Sequence, residues 1–359
     1  MAAVGVLGLG LAMAIAERDR RAARTRRTHE RQFALLPGEP PAQGMRRMML
    51  GQLDLAIELL EANDGAMPTA EAVHETRKAL KRLRTLVRLL ERQLGEAAAA
   101  REQAVLREAG RRLAGARDAE VSVGTLEDLL GRHPRKLARP GVVRLRTRLL
   151  AEREQATARL LGDQVLRAQV LADLRGVRAR TLAWAPGAEQ EIAPLEPAFK
   201  RIYRQGRDRY LRASQGKGDR AAAMHRWRKR VKDLRYAAEA LSRSHPAAAS
   251  VAGRPGAPRA ARKRSARRER DLIPKLARRS DELGELLGQE HDLFLLAQRV
   301  RDGRGDCGRR TRRTLLKLIE RRRERLRIRA VRDGARLYGR RPQKLLGRFR
   351  RAYAAEARM

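Results

Sequence analysis

HETRKALKRLR (residues 74–84) returns, with substitutions, as HRWRKRVKDLR (residues 225–235). Stripped of mismatches, both read H-x-x-R-K-x-x-K-x-L-R. At roughly 100° per residue, His74, Arg77, Lys78, Lys81, Thr85, Arg88 and Arg92 fall in one sector of a helix. Leu80, Leu83, Leu86, Val87, Leu90 and Leu94 gather opposite. In the second copy His225, Arg228, Lys229, Lys232 and Tyr236 cluster against Trp227, Val231, Leu234, Ala238 and Leu241. Each stretch is therefore expected to be a helix with an apolar back and a cationic front. A solvated face normally mixes acids with bases to gain pairs one turn apart. The stripe from His74 to Arg92 has no acid in it, and Glu239 is the one acid near the second, which points to an anionic ligand.

The flanking sequence is helical in pattern too. Residues 44–63, with Met45, Met49, Leu53, Ile57 and Leu60, read as a helix before the first motif. The motif helix is expected over 71–94, stopped by Gly95. Helical periodicity continues until His133-Pro134, resumes over 141–183, and gives way to a linker at 183–194. The second half repeats that order: a basic helix, a turn at GKGD, and a motif helix over 221–243. Residues 246–271, rich in Ala, Gly, Pro and Arg, read as a mobile insertion. The pattern resumes in LGELLGQEHDLFLLAQRV, and a very basic helical tail starts at Val300. His74 to Asp118 of ARDAEV spans 44 residues and His225 to Asp292 of EHDLFL spans 67, a difference close to the length of the insertion. The halves align once it is set aside, which points to an internal duplication. The organisation expected is an amino-terminal segment over 1–40, a first bundle over 41–190 and a second over 191–359.

Composition agrees with packed helices. Of 359 residues 42% are apolar but only 3% aromatic, so the core is built from Leu, Ala and Val. Lys and Arg number 83 against 42 Asp and Glu, a formal charge of +41. Self-repulsion on that scale calls for a polyanionic partner. The lone Cys307 forms no internal disulfide and suits a reducing compartment. Residues 2–16, an uncharged apolar run, would span roughly 23 Å as a helix against about 30 Å of hydrocarbon. They are expected to lie on the protein, with a membrane anchor or a cleaved signal as alternatives.

The paired motif, the Arg235-Tyr236 that follows the second copy, and the RDAEV and HDLFL segments resemble the CHAD domain, the conserved-histidine α-helical family. The resemblance covers about residues 44–353. It implies an all-α fold of two four-helix bundles, related by a pseudo-twofold axis with a basic channel between them. It also implies binding of inorganic polyphosphate without catalysis, and recruitment to polyphosphate granules in the cytoplasm. The residues lead to a similar place by themselves. A linear phosphate chain has one charge per unit and no bases to read, and rows of Arg and Lys on rigid helices match it. The binding role falls on His74, Arg77, Lys78, Lys81, Arg84 and Arg88. Their counterparts are His225, Arg228, Lys229, Lys232, Arg235 and Tyr236, with Arg204 and Arg207 on the preceding helix as further candidates.

Other chemistries fit less well. A phosphoacceptor histidine leaves the duplicated stripe unexplained. No H-x-x-x-H or H-E-x-x-H pair is present to seat a metal, and neither a metal nor a cofactor is expected. The Glu290-His291-Asp292 cluster has ARD as its partner in the first half, and a structural role at a helix start is expected for it. No phosphate-binding loop is present. Nucleic acid is the rival ligand, through the insertion or the basic tail over 309–351; few aromatics argue against a stacking platform for single strands.

Overall fold

Apolar residues at helical spacing form thirteen α-helices among the residues that the computed structural model describes, 32–61, 70–114, 117–188, 191–216, 218–242, 271–302 and 307–357. Residues 2–16, and all but Asp271 of 246–271, lie outside them, so the expectations for both segments do too. Helix α1 (Pro41–Glu61) buries Met45, Met49, Leu53, Ile57 and Leu60 on one face. Helix α2 (Ala70–Leu89) carries the first motif and buries Leu80, Leu83, Leu86 and Val87. It ends earlier than the pattern suggested; a short α3 (Glu91–Leu94) follows, and Gly95, at φ 82°, turns the chain. Then come α4 (Glu96–Arg112), α5 (Arg117–Arg132), a short α6 (Pro134–Leu137), α7 (Pro140–Gly162) and α8 (Gln164–Ala183). Asp163 divides the long stretch expected over 141–183 by accepting a hydrogen bond from Leu166 N at 2.8 Å, which caps α8.

The second half holds a 3-10 turn (Ala193–Leu195), α9 (Glu196–Ser214), α10 (Arg220–Leu241), α11 (Leu272–Asp302), α12 (Gly308–Tyr338) and α13 (Pro342–Ala357). Asp219 caps α10, the second motif helix, by accepting from Ala222 N at 3.0 Å. Among the described residues no strand forms, and no helix is long and apolar enough to cross a membrane.

Two closed rings of four helices result. In the first, α2 packs on α1 and α4, and α8 closes the ring against both. In the second, α10 packs on α9 and α11, and α12 closes it. The pair α5 and α7 leaves the first ring and packs on α11 and α12, so one buried apolar cluster runs through both. Leu80 of α2 lies 3.8 Å from where a Cβ on Gly110 would stand, and Val231 of α10 lies 3.9 Å from the same point on Gly284. Leu80 and Val231 hold the same place in the two motifs, so the same contact recurs in each ring.

The second motif helix is held hard from behind. Trp227 is fully buried, and a Cβ on Gly334 of α12 would meet its ring at 2.6 Å and Tyr210 at 2.7 Å. Only glycine lets α12 approach that closely. Below it, Glu290 is 2% exposed and accepts from Arg323 Nη2 at 2.9 Å and Arg327 Nε at 3.0 Å, both arginines being buried as well. Glu290 is thus structural but stands deep within α11, where α12 supplies its partners, and not at a helix start.

Candidate functional site

The two motif helices lie against each other and run in opposite directions. Arg88 Nη1 of α2 sits 2.6 Å from Asp233 Oδ2 of α10, and Arg82 Nη2 sits 3.8 Å from Glu239 Oε2. Between these pairs Thr85 and Tyr236 are buried at 1% and 6% exposure. All of these belong to, or border, the sectors that carry the cationic stripes. Each stripe is therefore turned toward the other helix, and the halves left beyond the crossing extend at opposite ends. His74, Arg77, Lys78 and Lys81 lie toward the end of α10, and His225, Arg228, Lys229 and Lys232 toward the end of α2.

At the crossing, guanidiniums crowd one carboxylate. Arg230 Nη1 lies 3.1 Å from the same Asp233 Oδ2 that Arg88 engages. Burial lowers the Arg84 pKa; Arg88, Arg107 and Arg230 push the same way and Asp233 opposes them. Burial also lowers that of Arg230, against the pull of Asp233, with Arg88 and Arg209 adding to the fall. Arginine stays charged regardless. Burial is the larger cause at both, and the geometry sets two guanidiniums, Arg88 and Arg230, on one carboxylate oxygen of Asp233. Arg107, Arg209 and Arg230 were not among the predicted residues. Arg230 falls off the stripe on a helical wheel, and the other two sit on α4 and α9, so no motif signals them.

A second centre forms where α10 meets α11. The rings of His225 and His291 are 4.4 Å apart between centroids, and His291 stacks on Phe294 at 6.2 Å. Nδ1 of His225 is buried with no hydrogen-bond partner. The Arg228 guanidinium passes over Gly288, 3.8 Å from where a Cβ would stand. Burial holds the His291 pKa down at about 3, helped by Arg228, His225, Lys229 and Lys232. Burial lowers that of His225 too, with Lys229, Arg228 and Arg226 adding to it. Both imidazoles are thus neutral at pH 7, inside a ring of fixed positive charge. The histidine of the EHD cluster joins this centre through the register of α11 on α10, which local sequence does not report.

The remaining predicted residues are held in several ways. His74 is exposed on α2, and Lys81 is half-buried there. Arg77 donates through Nη1 to the carbonyl of Leu113 at 2.5 Å, where α4 ends. Lys78 Nζ lies 3.1 Å from Glu75. Arg84 Nε donates to Gln103 Oε1 at 3.4 Å. Arg235 pairs with Glu239 at 2.6 Å and with Asp281. A row of one sign along one helix is therefore partly neutralised by neighbouring helices at Arg88 and Arg235. Tyr236, read as a neutral donor, fills the seam, and burial raises its phenol pKa. Arg204 is exposed and Arg207 half-buried on α9, but it is Arg209 of that helix whose charge acts on Arg230. Among the described residues no group of three or more His, Cys, Asp or Glu is placed to hold a metal.

The fold has a counterpart among known structures. The crystal structure of the CHAD domain from the plant Ricinus communis superimposes with a TM-score of 0.53 at 20% identity, covering 84% of this chain and 94% of that one. That likeness carries the fold. No curated protein matches the chain. The family model described as CHAD domain matches residues 51–254, more than half of the chain and both copies of the motif. With its paired histidine-headed helices packed face to face inside an all-α fold, the chain belongs to the CHAD domain family.

Proposed function

We propose that this protein binds inorganic polyphosphate without transforming it, along the sector in which α2 and α10 face each other. One observation carries the reading. Two clusters of cations, Arg88 and Arg230 sharing the one carboxylate of Asp233, and Arg228 and Lys229 beside the His225–His291 pair, lie along the same helix, α10, beside a partner helix that bears a matching stripe. A flexible anion with one charge per unit relieves both centres at once, whereas a compact anion reaches one. Guanidinium forks bind phosphate oxygens in pairs, and ammonium groups follow the chain as point charges. The contact that recurs between Leu80 and Gly110, and between Val231 and Gly284, supports reading the halves as copies of one ancestral unit.

Competition titration tests the reading. Long-chain polyphosphate is expected to displace duplex DNA of equal phosphate count, and its affinity to fall steeply with salt as released counterions lose their entropic advantage. Equal affinity for duplex DNA moves the assignment to a nucleic-acid-binding protein. Recruitment to polyphosphate granules follows from the same reading, and microscopy of the tagged chain against stained granules checks it.

A further inference from the structure

Away from the motif helices, α11, α12 and α13 enclose a half-open cavity of about 270 Å³ against α9. None of the fourteen predicted binding residues lines it. Lys275 and Arg279 reach it from the first turns of α11, Arg336 and Arg340 from the end of α12 and the link beyond, and Arg348 from α13. The rest of its lining is Leu272, Leu276, Leu337 and Leu345, each buried, with Tyr203, whose hydroxyl donates to the backbone carbonyls of Leu337 and Arg340 at 3.2 and 3.1 Å. Five cations and no acid line this space.

The charge of the whole chain does not account for that. A cavity between α5 and α11 sets Asp128 and Asp292 against Arg132 and Arg322. Another, between α11 and α12, sets Asp281, Glu282, Glu285 and Asp333 against three arginines. In both, acids balance the bases. Here Lys275 has Asp271 at 2.9 Å and Arg336 has Asp333 at 3.4 Å, but neither acid lines the cavity. Arg279 and Arg340 have no acid partner among the described residues. In sequence, residues 243–270, which precede α11, carry a large excess of Arg and Lys and a single acid, Glu269.

We propose that this cavity is a second anion site, for a small phosphate ester that carries a flat apolar group. Arg279 and Arg340 take the phosphate in guanidinium forks, and the leucine floor takes the body of the molecule. The mixture of a few convergent charges and an apolar surface is what such ligands require. Inorganic phosphate, free or in a chain, gains from the charges alone and leaves the floor wet. The inference is independent of the reading of the motif helices.

Isothermal titration with adenosine 5′-monophosphate, adenosine and inorganic phosphate tests it on the full chain. The monophosphate is expected to bind at one site per chain, at least ten-fold tighter than either fragment. The double variant Arg279→Ala, Arg340→Ala alters two exposed side chains and is expected to keep its melting curve. It should lose monophosphate binding by at least ten-fold and retain polyphosphate binding at the motif helices. Absence of monophosphate binding overturns the proposal, as does binding that survives in the double variant or inorganic phosphate binding equally tightly.

Discussion

Arg88 of the first motif helix and Asp233 of the second meet at 2.6 Å, so the one acid inside the second H-x-x-R-K-x-x-K-x-L-R phrase neutralises a cation of the first helix. Arg230 shares the same oxygen at 3.1 Å. Asp233 thereby holds two like-charged helices together and at the same time competes with any anion that enters between them.

Opposite effects on folding and binding should follow. Asp233→Asn removes a charge-assisted partner from two arginines and is expected to lower the unfolding free energy by about 1–3 kcal/mol. The same change should tighten polyphosphate binding, because the released guanidiniums become ligands. Denaturant unfolding and polyphosphate titration of one variant measure both signs, and a parallel loss of stability and affinity contradicts the arrangement.

Removing single cations should separate ligand contacts from structural ones. Lys229 is exposed on α10, and its charge acts on the neighbouring His225. Lys229→Ala is expected to cost about 1.5–3 kcal/mol of binding, roughly ten-fold or more in affinity, with the melting temperature kept. Arg77→Ala should weaken binding and also lower the melting temperature, since Arg77 caps the Leu113 carbonyl at the end of α4.

The imidazole pair should couple binding to protons. The His291 pKa, about 3 in the folded chain, lies below the value of about 6.5 expected when unfolded. Above pH 6.5 neither state carries the proton, and the stabilising contribution is complete. As pH falls from 6.5 toward 3, the unfolded chain takes a proton that the folded chain declines, so stability without ligand drops. A bound polyanion reverses the local sign and raises both imidazole pKa values, so binding should take up protons and tighten from pH 7 to pH 5. Titration in buffers of different ionisation enthalpy reads the uptake, and His291→Gln should diminish it.

The buried carboxylate of Glu290 should matter to the fold alone. Glu290→Ala leaves Arg323 and Arg327 buried without their shared acceptor, an expected loss of about 3–5 kcal/mol in urea unfolding. If the variant folds, its polyphosphate affinity should stay near that of the parent chain.

Much of this architecture is legible in the sequence. The apolar backs of the motifs, Leu80 and Leu83 in one and Val231 and Leu234 in the other, are core residues, because helical periodicity follows from backbone geometry. Breaks were harder to place. Asp163 divides one expected helix through a capping bond, and Gly95 sits a short helix after the motif helix has ended. Both depend on local hydrogen bonds that compete closely with continued helix. The candidate cluster was legible where it lies on one helix, as with His225, Arg228 and Lys229. It was not where residues from different helices converge, as with Arg107, Arg209 and His291.

The order of residues determined the helices, their apolar and cationic faces and the recurrence of the motif, since all of these depend on neighbours within a few turns. Packing alone decided that the two stripes turn toward each other, which cations Asp233, Glu239 and Asp281 neutralise, and that His225 meets His291 in a cationic surround. Those outcomes come from side chains far apart in the chain, and electrostatic energy depends on distance and burial in space rather than on separation along the backbone.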